Sequence, residues 1–134
     1  MEILVSKTAL LDKLKSVGRI IQPKNTLPAY DNFLFVIDES GFIQVTAGEE
    51  GGRISTNVDG KADFVNRSFL ASAKTLLDGL KEMSEQPLTI SIYEKEVGKS
   101  SFLRENHIYL NTLAAAESLE IRVKIILKTF TIFK

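Results

Sequence analysis

The sequence contains no cysteine and only one histidine, His107. The lack of cysteine excludes disulfide bonds and thiolate metal sites, and it fits a reducing compartment. A single histidine cannot complete a zinc site, because such sites combine several nitrogen or sulfur ligands. Since His107 lies within a strand-like pattern, we expect a surface residue or a core residue whose hydrogen bonds are satisfied.

Long hydrophobic runs are also missing. No apolar segment approaches the roughly 20 residues of a membrane span. The first seven residues, MEILVSK, lack the basic start and apolar stretch of a secretory signal. We therefore predict a cytoplasmic protein without membrane contact, and a length of 134 residues predicts one domain.

The formal net charge is zero, which argues against strong non-specific binding to nucleic acid. The charge is unevenly distributed along the chain, however. Cations outnumber acids as far as Ala29, acids dominate from Tyr30 to Val65, and only cations follow Glu120. A basic face on an otherwise acidic body is compatible with weak contact to a polyanion.

Signatures of catalysis are scarce. The glycine-rich segment GEEGGR is not followed by Lys-Ser/Thr and does not match a phosphate-binding P-loop. Glu49 and Glu50 could contact a divalent cation, but neighbouring carboxylates in a glycine loop usually form a solvated turn. No nucleophile and base occur at a readable spacing. We expect no metal and no cofactor, and we favour a binding or architectural role over an enzyme that uses Glu49 and Glu50.

The segment Ser6–Pro28 predicts an amphipathic helix followed by a loop. The Ser6 hydroxyl can accept a backbone N–H of the first helical turn. Pro23 cannot extend the helix. Apolar residues at spacings of four, three and four form one face, which we expect to be buried. These residues are Leu10, Leu14, Val17 and Ile21.

A second helix is predicted over Ser72–Met83, with Leu76, Leu77, Leu80 and Met83 as its buried face. Alternating or β-branched segments predict strands before, between and after the helices. They cover residues 1–5, 30–37, 42–47, 53–58, 63–70, 88–93, 101–104 and 107–113, with turns at 38–41 and 59–61. This order favours an α+β fold in which an antiparallel sheet carries both helices on one face.

The C-terminal segment 121–134 mixes apolar residues with lysine and arginine and contains no acid. It has the composition of a strand, and an unpaired strand of this kind is prone to association. Three interpretations stay open. The segment is an ordinary last strand, a strand that pairs with another chain, or the start of a further domain.

Several segments together resemble the first domain of the bacterial DNA polymerase III beta subunit, the sliding clamp. They are KTALLDKLKSVGRIIQ, KNTLPAYDNFLF, the hairpin ending VTAGEE, FLASAKTLLDGLKEM and IYLNTLAAAE. The family carries a basic residue before a TLP-type turn, matched here by Lys24–Pro28. Its second helix begins with small residues and a lysine, matched by Ala71–Lys74. The resemblance covers residues 1 to about 119.

The resemblance implies a clamp-like domain over residues 1–120 and a tail over 121–134. Such clamps are non-catalytic processivity factors of DNA replication. Their rings are built from repeated domains, and two helices of each domain face duplex DNA and contact its phosphates without reading bases. The implied DNA-binding residues are Lys13, Arg19, Lys24, Lys74 and Lys81. Ring closure by sheet continuation makes Ile108 and Leu110 candidates for an oligomer interface on an edge strand.

The implied partners are double-stranded DNA, other clamp-like chains and the replication polymerase or clamp loader. Full-length clamps have three such domains, whereas this chain has one, and the family's peptide-binding pocket lies in the later domains. Ala114 stands where the family usually has proline, and Leu119 replaces the usual aromatic residue. The alternative is a stand-alone interaction module that binds clamp, loader or polymerase without encircling DNA.

Overall fold

A computed structural model describes residues 1–21, 28–49, 51–96, 103–112 and 118–126 of the chain. Side chains are described for residues 1–21, 30–49, 51–93 and 107–111. The elements are β1 (Glu2–Ser6), α1 (Lys7–Gly18), a 3-10 turn (Pro28–Asp31), β2 (Asn32–Ile37), β3 (Ile43–Glu49), β4 (Gly52–Val58), β5 (Gly60–Ala62), β6 (Arg67–Ser72), α2 (Ala73–Lys81), β7 (Pro87–Glu96), β8 (Leu103–Thr112) and β9 (Ser118–Ile126).

The strands form two antiparallel sheets rather than the single sheet predicted. The first sheet has the order β5-β1-β7-β8-β9, and the second has the order β4-β3-β2-β6. Helix α1 contacts β1, β3 and β4, and α2 contacts β2, β6 and β9. The predicted α+β class is confirmed, and each helix packs on strands while also contacting the other helix.

Helix α1 begins where the sequence predicts. The Ser6 hydroxyl oxygen accepts the backbone N–H of Ala9 at 3.1 Å. Leu10, Leu14 and Val17 are buried, which confirms the predicted face. The helix ends at Gly18, before the predicted end, and Ile21 lies beyond it as a half-buried residue.

The loop before β7 fixes the start of α1 from outside the helix. The Lys7 N–H donates to the Gln86 carbonyl at 2.9 Å. A hydrogen bond from the Thr8 side chain lowers the pKa of the Glu85 carboxyl, aided by backbone hydrogen bonds and the charge of Lys7. A carboxylate near the N-terminus of α1 also interacts favourably with the positive end of the helix dipole. The first turn of α1 is therefore held by a segment almost 80 residues later in the chain.

Helix α2 is shorter than predicted but buries the predicted side. Ser72 caps it, since the Ser72 hydroxyl accepts the Thr75 N–H at 3.4 Å. Leu76 and Leu80 are buried, whereas Leu77 and Met83 are half-buried.

The turn between β2 and β3 is confirmed and has a local cause. One carboxylate oxygen of Asp38 accepts the N–H groups of Ser40 at 2.8 Å and Phe42 at 3.0 Å. Gly41 adopts a φ of 85°, a backbone conformation that suits glycine. The residues that predict the turn are the residues that make its hydrogen bonds.

Two predictions in the middle of the chain are wrong. Residues Gly60–Ala62 form the short strand β5, paired with β1, rather than a simple turn. The strand predicted over residues 63–70 starts later, as β6 at Arg67. Asn66 has a φ of 55°, which interrupts the extended backbone and which asparagine tolerates better than most residues.

Both sheets and both helices contribute to one buried core. The rings of Phe35 and Phe69 stack across β2 and β6 with their centroids 4.8 Å apart. Phe33 is fully buried beneath the end of α1. In the part of the chain that the structure describes, no helix is long and apolar enough to cross a membrane.

The last two strands differ from the prediction in extent. One continuous strand, β8, replaces the two short strands predicted there. Strand β9 covers Ser118–Ile126 and therefore spans the domain boundary predicted at residue 120. Residues 127–134, the remainder of the predicted tail, lie outside the described residues.

Candidate nucleic-acid interface

The end of α1 and the first half of α2 lie side by side. A Cβ atom placed on Gly18 would lie 3.7 Å from Leu77 Cδ1 and 3.2 Å from Phe33 Cζ. The absence of a side chain at Gly18 therefore leaves room for the ring of Phe33, and Leu77 of α2 lies at van der Waals distance from the same position. The space between them, called here the interhelical groove, is lined by Gly18, Ile21, Asp31, Ser72, Ala73, Lys74 and Leu77.

The predicted DNA-binding cations on the helices are all exposed. Lys13, Arg19, Lys74 and Lys81 present their side chains to solvent. Lys24, which the resemblance assigns to a DNA-facing loop, lies outside the described residues.

On α2, two of these cations lie beside the groove. Lys74 lines the groove together with Leu77. Residues three and four apart are neighbours on a helix surface, so Lys81 lies on the same side of α2 as Leu77. Lys74 therefore borders the groove, and Lys81 lies one turn beyond Leu77 along the same side of α2.

On α1, the predicted cations Lys13 and Arg19 lie at different angles around the helix axis relative to the groove. Gly18 marks the side that faces α2. Lys15 precedes Gly18 by three residues, so it lies near that side. Arg19 lies four residues after Lys15 and is its neighbour, but it is about 100° around the helix axis from Gly18. Lys13 precedes Gly18 by five residues, which places it about 140° around the helix axis. The sequence prediction does not include Lys15. The sequence shows the position of Lys15 around the helix, but it does not show which side of α1 faces α2.

The two helices beside the groove carry more cations than acids, while Lys74 and the acid Asp31 both line the groove itself. Through Arg19, α1 carries four cations and one acid, Asp12, and α2 carries two cations and one acid, Asp78. The N-terminus of α2 adds the positive end of its helix dipole at the same groove. Such a surface favours anions such as phosphate groups over neutral ligands, because the interaction needs only negative charge. Helical spacing assigns four cations to the two helices around the groove, and Lys74 lines it. The four are Lys15, Arg19, Lys74 and Lys81.

The predicted edge strand is wrong. Strand β8 lies between β7 and β9, so it is not an edge of the first sheet. Ile108 is 1% exposed and Leu110 is 0% exposed, and both belong to the core. Their side chains therefore stabilise the domain itself and are not available to a partner subunit. The edge position was implied by the family resemblance, whereas the alternation of residues 107–111 reflects one buried face of an interior strand.

The other residues considered for chemistry do not converge. Glu49 ends β3, His107 lies half-buried on β8, and Glu50 lies outside the described residues. Among the residues that the structure describes, no group of three histidine, aspartate or glutamate side chains is placed to hold a metal ion.

Comparison with known proteins gives one family. The profile of the DNA polymerase III beta subunit, N-terminal domain, matches residues 1–121. A comparison with curated proteins gives no match.

Solved structures of sliding clamps share the fold. The DNA polymerase sliding clamp of Caulobacter crescentus has 16% identity and a TM-score of 0.70, covering 94% of this chain and 30% of that one. The Pseudomonas aeruginosa clamp bound to griselimycin has 16% identity and a TM-score of 0.74, with coverages of 96% and 31%. The Bacillus subtilis clamp has 12% identity and a TM-score of 0.66, with coverages of 92% and 31%.

The extent of these matches defines what the chain corresponds to. It spans about 30% of the length of the solved clamps that it resembles. The family match covers nearly all of the described fold, from β1 into β9. The chain therefore belongs to the DNA polymerase III beta subunit family and carries the N-terminal domain of that family.

Proposed function

We propose that the chain acts as a sliding-clamp domain that presents its two helices to duplex DNA and contacts phosphates without reading bases. The observation that carries this proposal is the set of exposed cations along the interhelical groove. Lys15, Arg19, Lys74 and Lys81 are its members, and Lys24 remains a candidate from the sequence. Lys13 lies on the far side of α1 and contributes less.

The strength of this contact is expected to be low. Each cation that neutralises a phosphate releases counterions, so binding falls as salt rises. A chain with zero net charge gains little from long-range attraction. Useful binding therefore requires that several such domains surround or flank the duplex, and we propose that the chain works within an assembly of clamp-like chains.

The same proposal defines the remaining roles. The chain is a non-catalytic component, and it acts on DNA together with a polymerase and a clamp loader. Its location is the cytoplasm, with the replicating DNA.

Fluorescence anisotropy with a labelled ~30-bp duplex tests the DNA contact at about 50 mM salt. The test variant is the triple substitution Lys15→Glu, Arg19→Glu and Lys74→Glu. We expect an affinity loss of at least tenfold. The slope of log affinity against log salt concentration should be shallower by about 2–3, because about three phosphate contacts are removed. Duplexes of different base sequence should bind alike.

Two controls separate the groove from total charge. The single substitution Lys13→Glu makes the same charge change as Lys15→Glu alone, on the other side of α1, and should have a small effect. The triple substitution Arg53→Glu, Lys61→Glu and Arg67→Glu changes the charge of exposed strand residues by the same amount as the groove variant. An equal loss in both triple variants, or no salt-dependent binding by the unmodified chain, would refute the proposal.

A second function, as a protein-interaction module, is favoured by an aromatic pair on the first sheet. The rings of Tyr93 and Tyr109 meet edge to face with their centroids 5.8 Å apart, and Tyr93 is 52% exposed. Their neighbours Ile92 and Ile108 are buried, so the rings lie on the face away from the core. Tyrosine is enriched at protein interfaces. Calorimetry of the Tyr93→Ser variant with purified clamp, loader and polymerase should show lost binding while DNA anisotropy is unchanged.

A further inference from the structure

A cleft crosses β1 on the face of the first sheet that points away from the core. Ile3 and Val5 are buried, whereas Leu4 between them is 52% exposed, so Leu4 projects to solvent. Two cavities of about 470 and 280 Å³ adjoin there, and both are lined by Leu4 and Lys61. We call the two cavities together the outer cleft. Its charged and apolar side chains are Glu2, Leu4, Asp59, Lys61, Asp63 and Glu85.

One end of the outer cleft is acidic and is held in place by hydrogen bonds. Glu2 and Asp63 line this end, and both side chains are exposed. The Glu2 N–H donates to a carboxylate oxygen of Asp63 at 2.7 Å, and the Asp63 N–H donates to the Glu2 carbonyl oxygen at 3.0 Å. These two hydrogen bonds keep Asp63 beside Glu2, so two carboxylates lie at the same end.

The opposite end of the outer cleft is acidic as well. Asp59 and Glu85 line it together with Ser6. The antiparallel pairing of β5 with β1 brings Asp59 to the side of Ser6. A hydrogen bond from the Thr8 side chain lowers the pKa of the Glu85 carboxyl, so Glu85 carries its charge at neutral pH.

Negative charge therefore exceeds positive charge along the outer cleft. In the part of the chain that the structure describes, four acids line it against one cation, Lys61. Lys7 offsets part of the charge of Glu85 from the start of α1. Glu2 and Ser6 are four residues apart on one strand, so the acidic ends are about 13 Å apart. A single metal ion cannot bridge that distance, because oxygen ligands lie about 2.0–2.6 Å from such an ion.

An extended peptide has the spacing that this arrangement requires. Residues i, i+2 and i+4 of an extended segment point to one side, and the outer two lie about 13 Å apart. Cations at positions i and i+4 would reach the two acidic ends, while an apolar residue at i+2 would cover Leu4. Covering Leu4 removes apolar surface from water, which favours binding in proportion to the area buried.

We infer that the outer cleft binds an extended basic segment of a partner protein, with a cation, an apolar residue and a second cation at alternate positions. This inference goes beyond the proposed function and does not depend on DNA binding. Leu4 faces away from the core to which both helices contribute, whereas the proposed phosphate contacts lie on those helices. The peptide and DNA can therefore be bound at the same time.

NMR titration of the ¹⁵N-labelled full chain tests the inference, with the peptide acetyl-Lys-Thr-Leu-Thr-Lys-amide as the probe. We expect saturable amide shifts at Leu4, Lys61 and Thr89, and none at Lys74 or Leu77 of the interhelical groove. Serine in place of the peptide's leucine should weaken binding about tenfold. Glutamine in place of both peptide lysines should weaken it about fivefold at low salt.

Variants of the chain locate the contacts. Leu4→Ser should weaken binding about tenfold, whereas Phe42→Ser, which removes an exposed apolar side chain from the second sheet, should leave it unchanged. Asp63→Asn removes the charge but keeps an oxygen that can accept the Glu2 N–H, and it should weaken binding about threefold. Glu39→Gln, at an exposed acid of the turn between β2 and β3, is its matched control.

A gain of affinity protects the test against simple misfolding. Lys61→Gln removes the cation of the outer cleft and should strengthen peptide binding about twofold to threefold. The variant Lys15→Glu, Arg19→Glu and Lys74→Glu should bind the peptide normally, so that a failure of DNA binding is distinguished from a failure of this inference.

Four results would overturn the inference. They are the absence of saturable shifts with the peptide, shifts confined to residues outside the outer cleft, equal affinity of Leu4→Ser and the unmodified chain, and equal affinity for spermidine and the peptide. Spermidine carries several positive charges without an apolar side chain, so equal binding would show attraction to charge alone.

Discussion

Gly60 is the position where a single added carbon should have the clearest structural consequence. It begins β5 and stands opposite Val5 of β1. A Cβ atom on Gly60 would lie 2.8 Å from the Leu4 carbonyl oxygen and 3.2 Å from Ile43 Cδ1. The Ile43 side chain can move, but the Leu4 oxygen belongs to the strand backbone. The substitution Gly60→Ala therefore forces β5 away from β1.

The expected magnitude follows from two opposing effects. Replacing glycine by alanine stabilises a protein by about 0.4–1 kcal/mol where the conformation is compatible, because the unfolded chain loses freedom. Overpacking a well-packed site costs about 1–3 kcal/mol. Since β5 has only three residues, it has few other pairs to hold it in place. We expect Gly60→Ala to lower the free energy of unfolding by about 1–2 kcal/mol.

Gly52→Ala is the matched control. Gly52 begins β4, and an added Cβ there would meet no atom within 4 Å. This variant should be unchanged or up to about 1 kcal/mol more stable. Urea unfolding followed by circular dichroism measures both, and the slopes should stay equal while the midpoints separate by about 1 M. A Gly60→Ala variant as stable as Gly52→Ala would refute the close approach between β5 and β1.

Three further predictions concern the cap, the core and the loop that holds α1. Ser6→Ala should cost about 1 kcal/mol, because the Ala9 N–H loses its acceptor, as measured by urea unfolding. Leu80→Ala should cost about 2–5 kcal/mol, because a fully buried side chain leaves a cavity. The pKa of Glu85 is lowered by its hydrogen bond with Thr8, so its stabilisation holds above the unfolded pKa and is lost as pH falls through the folded pKa. Unfolding measured from neutral to acid pH should therefore show a weaker pH dependence for Glu85→Gln.

Each of these three predictions has a matched control variant. Ser16→Ala, on the exposed side of α1, should change stability by less than about 0.5 kcal/mol. Phe42→Ala is the control for Leu80→Ala and should also change stability by less than about 0.5 kcal/mol, because Phe42 is 71% exposed. Thr8→Val should reduce the pH dependence as Glu85→Gln does, and the double variant should reduce it no further. Independent effects of the two substitutions would contradict the assigned hydrogen bond.

The local features of the fold were readable from the sequence because they depend on neighbouring residues. The Ser6 cap, the Asp38 turn and the buried side of α1 each depend on residues that lie only a few positions apart. The short strand β5 was not readable, because a segment of three residues that contains glycine becomes a strand only by pairing with β1. The pairing partner lies more than 50 residues earlier in the chain.

The site was predictable in its residue types more than in its arrangement. Exposed cations on two amphipathic helices follow from helical periodicity. Which side of α1 faces α2 depends on the packing that places Gly18 beside Leu77, and this packing leaves Lys15 nearer to the groove than Lys13. The proposed phosphate-binding surface is therefore a property of helix packing rather than of either helix.

The sequence by itself determined the family, the α+β class, the two amphipathic helices and their capping residues. These features depend on periodicity and on hydrogen bonds between close neighbours, which a linear pattern contains. Only the tertiary structure decided that the strands divide into two sheets and that β8 lies inside one of them. Strand order depends on pairing between distant segments, and Ile108 and Leu110 have the same alternating pattern whether β8 is an edge or an interior strand.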